Sequence, residues 1–185
     1  MTRTFVFGGA RSGKSGYAES LAVAGEKPVV YLATAQARDA EMQMRIAHHR
    51  ERRDAGWITV EEPLALGSVL RASSSPENIV LVDCLTVWLS NLLFCEEREY
   101  PEVGRIDPPA RYVEERDDFL AAIEQARGDL VIVSNEVGMG IIPQGAISRW
   151  FVDEAGRLNQ AVAARCERAV WVAAGLPLVL KGQKC

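Results

Sequence analysis

The feature that most limits what this chain can fold into is Gly8-Gly9-Ala10-Arg11-Ser12-Gly13-Lys14-Ser15, which fits the pattern G-x-x-x-x-G-K-S. It follows a β-rich run, Thr4 to Gly8, and opens a run of helical periodicity, Lys14 to Ala24. A strand, a tight turn and a helix in that order are what a phosphate-binding loop, or P-loop, requires. Gly8 and Gly13 permit the turn whose backbone N–H groups surround phosphate oxygens, and the helix start adds its partial positive charge. In such a loop Lys14 contacts the β- and γ-phosphates, and the Ser15 hydroxyl joins the coordination of Mg2+.

The rest of the chain repeats the alternation that begins there. Further strands are expected at Val29–Thr34, Ile58–Glu61, Ile79–Asp83, Leu130–Asn135 and Ala169–Ala174, several of them almost wholly apolar, as strands covered on both faces must be. Helices are expected at Asp39–Arg53, Leu64–Ala72, Leu85–Phe94, Ala110–Arg127 and Ala146–Cys166. The pattern is α/β: a P-loop nucleoside triphosphate hydrolase-like fold, with helices flanking a mostly parallel sheet. Leu176–Leu180, after Gly175, adds a short antiparallel edge strand. Gly25 suits a left-handed residue closing the first helix. The acidic stretch Cys95–Pro109, with Pro101, Pro108 and Pro109, reads as a mobile surface excursion. At 185 residues one domain over 1–185 is expected.

Bulk properties exclude several functions. With 21 Lys and Arg against 25 Asp and Glu, the net charge of −4 gives no general grip on nucleic acid or anionic lipid. The most apolar run, Leu85 to Phe94, is too short for a membrane span, and the start reaches glycine and charge too early for a signal peptide. A cytoplasmic location is expected. Cys84, Cys95, Cys166 and Cys185 lack the close spacing of a zinc or redox motif and read as reduced thiols.

Other residues carry chemistry with a plainer alternative beside it. Asp83 ends the run Ile79-Val80-Leu81-Val82, where P-loop folds place the acid nearest the metal; it could equally cap the next helix. His48 and His49 are the only histidines, and His48 shares a helix face with Arg45 and Arg52. A neutral imidazole there could attack phosphorus beside guanidinium groups, or the segment could be a solvated basic face. Glu136 orients substrate or metal, or caps its turn. Arg149 and Arg157 are open between phosphate contact and surface charge, and Trp88, Trp150 and Trp171 read as core.

Four segments taken together narrow the choice: the P-loop, Tyr31-Leu32-Ala33-Thr34-Ala35, Arg45-Ile46-Ala47-His48-His49 and Asn135-Glu136-Val137-Gly138-Met139-Gly140-Ile141-Ile142-Pro143. With Ala155-Gly156-Arg157-Leu158-Asn159-Gln160 they span nearly the whole chain, which resembles the adenosylcobinamide kinase and adenosylcobinamide-phosphate guanylyltransferase family. The resemblance implies phosphoryl transfer from ATP or GTP to adenosylcobinamide, then GMP transfer from GTP to the new phosphate through a GMP–histidine intermediate. Adenosyl-GDP-cobinamide and pyrophosphate are the products it implies. By motif position the histidine is His48, while His49, Arg50, Glu51 and Arg52 match nucleotide-contacting positions, as do Thr34, Ala35, Gln36, Glu61 and Asp83. A corrinoid substrate and a homo-oligomer, with a trimer as one form, also come from the resemblance. Two other functions stay open: a P-loop kinase of another small molecule, and a nucleotide-dependent switch, the latter without an Asn-Lys-x-Asp signature in the chain.

Overall fold

A computed structural model describes residues 1–36, 44 and 54–183. The expected helix Asp39–Arg53 therefore falls almost wholly outside the described residues. The chain opens with β1 (Arg3–Gly8), α1 (Lys14–Ala24) and β2 (Val29–Ala33), then continues through β3 (Ile58–Glu61), α2 (Leu66–Ser73) and β4 (Ile79–Asp83). It goes on with α3 (Leu85–Leu93), α4 (Ala110–Gln125), β5 (Asp129–Asn135), α5 (Ala146–Arg165), β6 (Arg168–Ala173) and β7 (Leu176–Lys181).

Among the described residues seven strands form one sheet in the order β3-β2-β4-β5-β1-β6-β7. The first six are parallel, and β7 pairs antiparallel with β6 as the expected edge strand. Parallel strands of this kind must be covered on both faces, and side-chain alternation assigns the two coats. Val6, Tyr31, Leu81, Val133 and Val172 pack with Ala18 and Ala22 of α1. Phe5, Leu32, Val82 and Ile132 pack against α2 to α5, around Leu66, Trp88, Phe119 and Leu158. Trp88 is fully buried and donates its indole N–H to the Leu64 carbonyl at 2.8 Å, whereas Trp150 is half-buried, edge-on to Tyr112. Trp171 is also half-buried rather than core.

Some local expectations are corrected. Gly25 is right-handed, at φ −75°, and Glu26 takes the left-handed turn at φ 52°. A Cβ on Gly25 would lie 2.2 Å from Ile79 Cδ1, so the tip of that side chain would have to turn aside. Helix α2 starts two residues later than the pattern suggests, because Glu62 Oε1 accepts the N–H groups of both Leu64 and Ala65 at 2.8 Å and holds them in a turn. The Cys95–Pro109 segment is mostly exposed, as a surface excursion should be, with anchors along it: Tyr100 donates to the Leu93 carbonyl at 2.6 Å, Ala146 N–H to the Glu102 carbonyl at 3.1 Å, and Ile106 is buried.

Candidate functional site

Open α/β sheets bind ligands beyond the carboxyl ends of their strands, and the sequence-predicted residues that the structure describes gather there. In register, Glu61 of β3 lies beside Ala33 of β2, Ala33 beside Asp83 of β4, and Asp83 beside Val133 of β5. Gly8 of β1 lies beside Asn135. Four strand spacings separate Glu61 from the P-loop strand, roughly 19 Å across the sheet. The two ends of the edge can therefore meet different parts of an extended ligand, or two ligands, but not one phosphate.

At the β1 end the loop is built for an anion. Arg11 and Gly13 are both left-handed, at φ 56° and 94°, and Gly13 is the N-cap of α1. Among the described residues no side chain caps that helix, and no acid occupies its first turn, which leaves its N–H groups and dipole suited to an anion. The loop closes with Ser12 N–H donating to the Gly9 carbonyl at 3.2 Å. Lys14 is buried, and among the described residues its ammonium reaches the Gly9 carbonyl at 3.5 Å. Among the described residues the buried Ser12 hydroxyl finds no hydrogen-bond partner. Gly9 and Ser15 are half-buried, whereas Ala10 and Arg11 are exposed. A buried hydroxyl without a partner among the described residues, a weakly engaged ammonium and a helix start with no side-chain cap fit a polyphosphate.

The sequence gives no hint of what braces this loop from behind. The turn between β6 and β7 lies against it: Gly175 N–H donates to the Ser12 carbonyl at 2.8 Å. A Cβ on Gly13 would come within 3.0 Å of Gly175 Cα.

Asp83 ends β4, two strands from β1, and side-chain alternation with Ile79 and Leu81 turns it to the α1 face. It does not cap α3, whose N-cap is Cys84 and which has no side-chain cap. Its Oδ2 accepts a hydrogen bond from the Tyr31 hydroxyl at 3.0 Å. Burial pushes the neighbouring Cys84 thiol up to about 11, with the Asp83 carboxylate adding to the shift and the Lys14 ammonium opposing it. Asp83 and Lys14 thus act on the same thiol, which brings the end of β4 and the P-loop into one locality. Among the described residues no three His, Cys, Asp or Glu side chains converge on a point.

Thr34 is fully buried and its polar atoms are engaged within the chain. Its hydroxyl donates to the Cys84 carbonyl and accepts from the Cys84 N–H, both at 2.9 Å; its carbonyl accepts from Asn91 at 2.8 Å, and its N–H donates to the Asp83 carbonyl at 3.3 Å. Ala35 is half-buried, while Gln36 and Glu61 are exposed. His48, His49, Arg50, Glu51 and Arg52 lie outside the described residues.

The neighbouring loop carries mainly structural bonds. Glu136 Oε1 accepts the Gly138 N–H at 2.8 Å, which is the turn-capping role. Arg149 donates to the carbonyls of Pro143 and Gln144 and so fixes the approach to α5, and Arg157 pairs with Glu154. Asn135 N–H donates to Thr86 Oγ1 at 2.8 Å, and Asn159 Nδ2 to the Asn135 carbonyl at 3.2 Å.

Comparison with known proteins matches this arrangement first as a fold. The structure superposes on the flagellar accessory protein FlaH of Methanocaldococcus jannaschii with a TM-score of 0.52 and 9% identity, covering 98% of this chain and 79% of that one. A type III secretion ATPase gives the same TM-score, 0.52, with 14% identity over 96% of this chain and 56% of that one. In sequence the chain is 50% identical over 181 residues to the bifunctional adenosylcobalamin biosynthesis protein CobP of Pseudomonas aeruginosa, covering 98% of each. It is 40% identical over 179 residues to the bifunctional adenosylcobalamin biosynthesis protein CobU of Salmonella typhimurium, covering 95% of this chain and 98% of that one. The pattern that defines the cobinamide kinase / cobinamide phosphate guanyltransferase family matches residues 4–180, and the chain belongs to that family.

Proposed function

We propose that the carboxyl edge of this sheet carries out both reactions of the family in turn. ATP or GTP first phosphorylates the aminopropanol hydroxyl of adenosylcobinamide, and GMP is then transferred from GTP to the new phosphate by way of His48. The observation that carries the reading is the P-loop itself, a helix start with Gly13 at its N-cap and a buried Lys14, with Asp83 at the same edge of the sheet, in a chain that matches two-activity relatives over almost its full length.

In the phosphoryl step the substrate hydroxyl attacks the γ-phosphorus and the bond to the β-phosphate oxygen breaks. Lys14 and the N–H groups of residues 9–15 stabilise the charge that collects on the β- and γ-oxygens. Ser15 and Asp83 are the residues that would hold Mg2+, which when bound neutralises part of that phosphate charge.

In the guanylyl step a neutral imidazole nitrogen of His48 attacks the α-phosphorus of GTP and pyrophosphate leaves. The phosphate of adenosylcobinamide phosphate then attacks the same phosphorus, giving adenosyl-GDP-cobinamide and returning the imidazole. Arg50 and Arg52 are assigned to the phosphoryl oxygens, His49 and Glu51 to the nucleotide alongside them. Ala35, Gln36 and Glu61 are assigned to the far part of the nucleotide, which suits their place at the opposite end of the sheet edge. Thr34 is assigned to shaping the turn under the nucleotide, because its polar atoms are engaged by Cys84, Asn91 and Asp83.

A homo-oligomer accords with the exposed apolar side chains Met139, Ile141 and Ile142 beside the site and Leu176, Leu178 and Leu180 on the edge strand. A cytoplasmic enzyme accords with free Cys84, Cys95 and Cys166, and no helix among the described residues is long and apolar enough to cross a membrane. The test is product analysis with adenosylcobinamide and GTP. Pyrophosphate together with adenosyl-GDP-cobinamide is expected; GDP alone, with another alcohol as the better acceptor, would make the chain a kinase of a different substrate.

A further inference from the structure

Tyr31 and Asp83 meet for a reason written in the sheet register. Tyr31 of β2 lies beside Leu81 of β4, so Asp83 is its diagonal neighbour on the same face, a distance that an aromatic side chain can reach. The Tyr31 ring is 2% exposed and packs in the core between sheet and α1, with the Trp57 ring 6.3 Å away and tilted by 27°. From that position its hydroxyl donates to Oδ2 of Asp83 at 3.0 Å. One residue beyond, Thr34 grips both the N–H and the carbonyl of Cys84 at 2.9 Å. Strand β2 thus holds the end of β4 by side chain and backbone together.

We infer that Tyr31 is a positioning residue for the metal acid: its phenol hydrogen occupies Oδ2 of Asp83, fixes the carboxylate plane and leaves Oδ1 to serve the cation. The inference rests on the assignment of Asp83 proposed above. A carboxylate at a strand end rotates about its side-chain bonds unless something holds it, and a cation ligand is most effective when already oriented. Donation to one oxygen orients the group without cancelling its charge, whereas a salt bridge at the same place would compete with the cation.

Tyr31→Phe removes only the hydroxyl and keeps the ring in its packing. The protein is loaded with β,γ-imido-GTP, and Mn2+ affinity is read by electron paramagnetic resonance beside the Mg2+ dependence of GTP turnover. Tyr31→Phe should weaken Mn2+ binding about tenfold, the low end for loss of an outer-shell partner. The Mg2+ half-activation point should rise equally, with kcat at saturating Mg2+ within about twofold of wild type. Unchanged Mn2+ affinity with a lowered melting temperature would overturn the inference and leave the hydroxyl a purely structural group. Asp83→Asn separates the two levels. If Asp83→Asn alone weakens Mn2+ binding and Tyr31→Phe adds nothing to it, the hydroxyl acts through Asp83; a further loss in the double variant would contradict that route. If Asp83→Asn binds Mn2+ as wild type does, the metal assignment falls and the role of Tyr31 falls with it.

Discussion

Replacing Gly8 by alanine tests the geometry of the P-loop where it is tightest. A Cβ at that position would lie 2.2 Å from the carbonyl oxygen of Val172 and 2.8 Å from Ser12 Oγ. A carbon and an oxygen without a covalent link approach to about 3.3 Å, so roughly 1 Å of movement is needed. The serine could rotate away, but Val172 is fully buried in β6, which is paired on both sides. The strain therefore falls on the join between β1 and β6 just below the loop. Overpacking of this kind costs about 1–3 kcal/mol. At 2–4 °C per kcal/mol for a chain of this size, the melting temperature should fall by roughly 2–12 °C. A 1 Å displacement of the phosphate cradle should also lower turnover by about 100-fold. Gly9→Ala is the control, since a Cβ there meets nothing within 4 Å. Its melting temperature should stay within about 2 °C of wild type, because the added methyl displaces nothing. Calorimetry and binding of a fluorescent GTP analogue read both variants. Wild-type stability and nucleotide affinity in Gly8→Ala would refute the close approach of β6 to the loop.

Two further perturbations follow from the same geometry. Lys14→Ala should lower both nucleotide-dependent reactions by about 100- to 1000-fold, the size of losing one preorganised charge partner, while the melting temperature holds or rises because a weakly paired buried cation is removed. Near-normal turnover in steady-state assays, with folding checked by circular dichroism, would contradict its role. Cys84 and Cys166, which burial pushes up to about 11 and about 12, should resist iodoacetamide at pH 8 until the protein is unfolded. Since the folded state keeps these protons longer than unfolded thiols, whose ordinary value is 9.0, each thiol's contribution is intact below about pH 9. It is then lost at about 1.4 kcal/mol per pH unit as pH rises toward 11. Urea melts of Cys84→Ala and wild type at pH 8 and 10.5 measure that difference, and identical pH slopes would contradict it.

The sequence reading succeeds where the determining signal is local. A helix that begins at Lys14 and strands at Ile58–Glu61 and Ile79–Asp83 are spelled out by the P-loop pattern and by apolar runs with sharp ends. The antiparallel Leu176–Lys181 strand follows from its turn. What is not legible is whatever depends on strand order. Nothing in the run Tyr31-Leu32-Ala33-Thr34 indicates that the phenol will meet a carboxylate 52 residues away, or that the threonine will turn inward to Cys84. Those contacts exist because β2 and β4 are neighbours. The bracing of Ser12 by Gly175 likewise arises only after β6 settles beside β1. Gly25 shows the limit of a purely local rule. A glycine after a helix invites a left-handed assignment, yet Gly25 stays right-handed and the left-handed residue is Glu26, one position on.

If GMP passes through a histidine, as proposed, the adduct can be trapped on the protein. Wild type, His48→Ala and His49→Ala are incubated with GTP labelled at the α-phosphate, separated on a gel, and mapped by peptide. The account predicts a labelled, acid-labile and base-stable adduct on His48, as a phosphoramidate should be, absent from His48→Ala and retained in His49→Ala. His48→Ala should keep appreciable kinase activity, because only the guanylyl step uses the imidazole. Loss of the adduct in His49→Ala with persistence in His48→Ala would reverse the assignment, and no adduct in an active wild-type enzyme would contradict the covalent route.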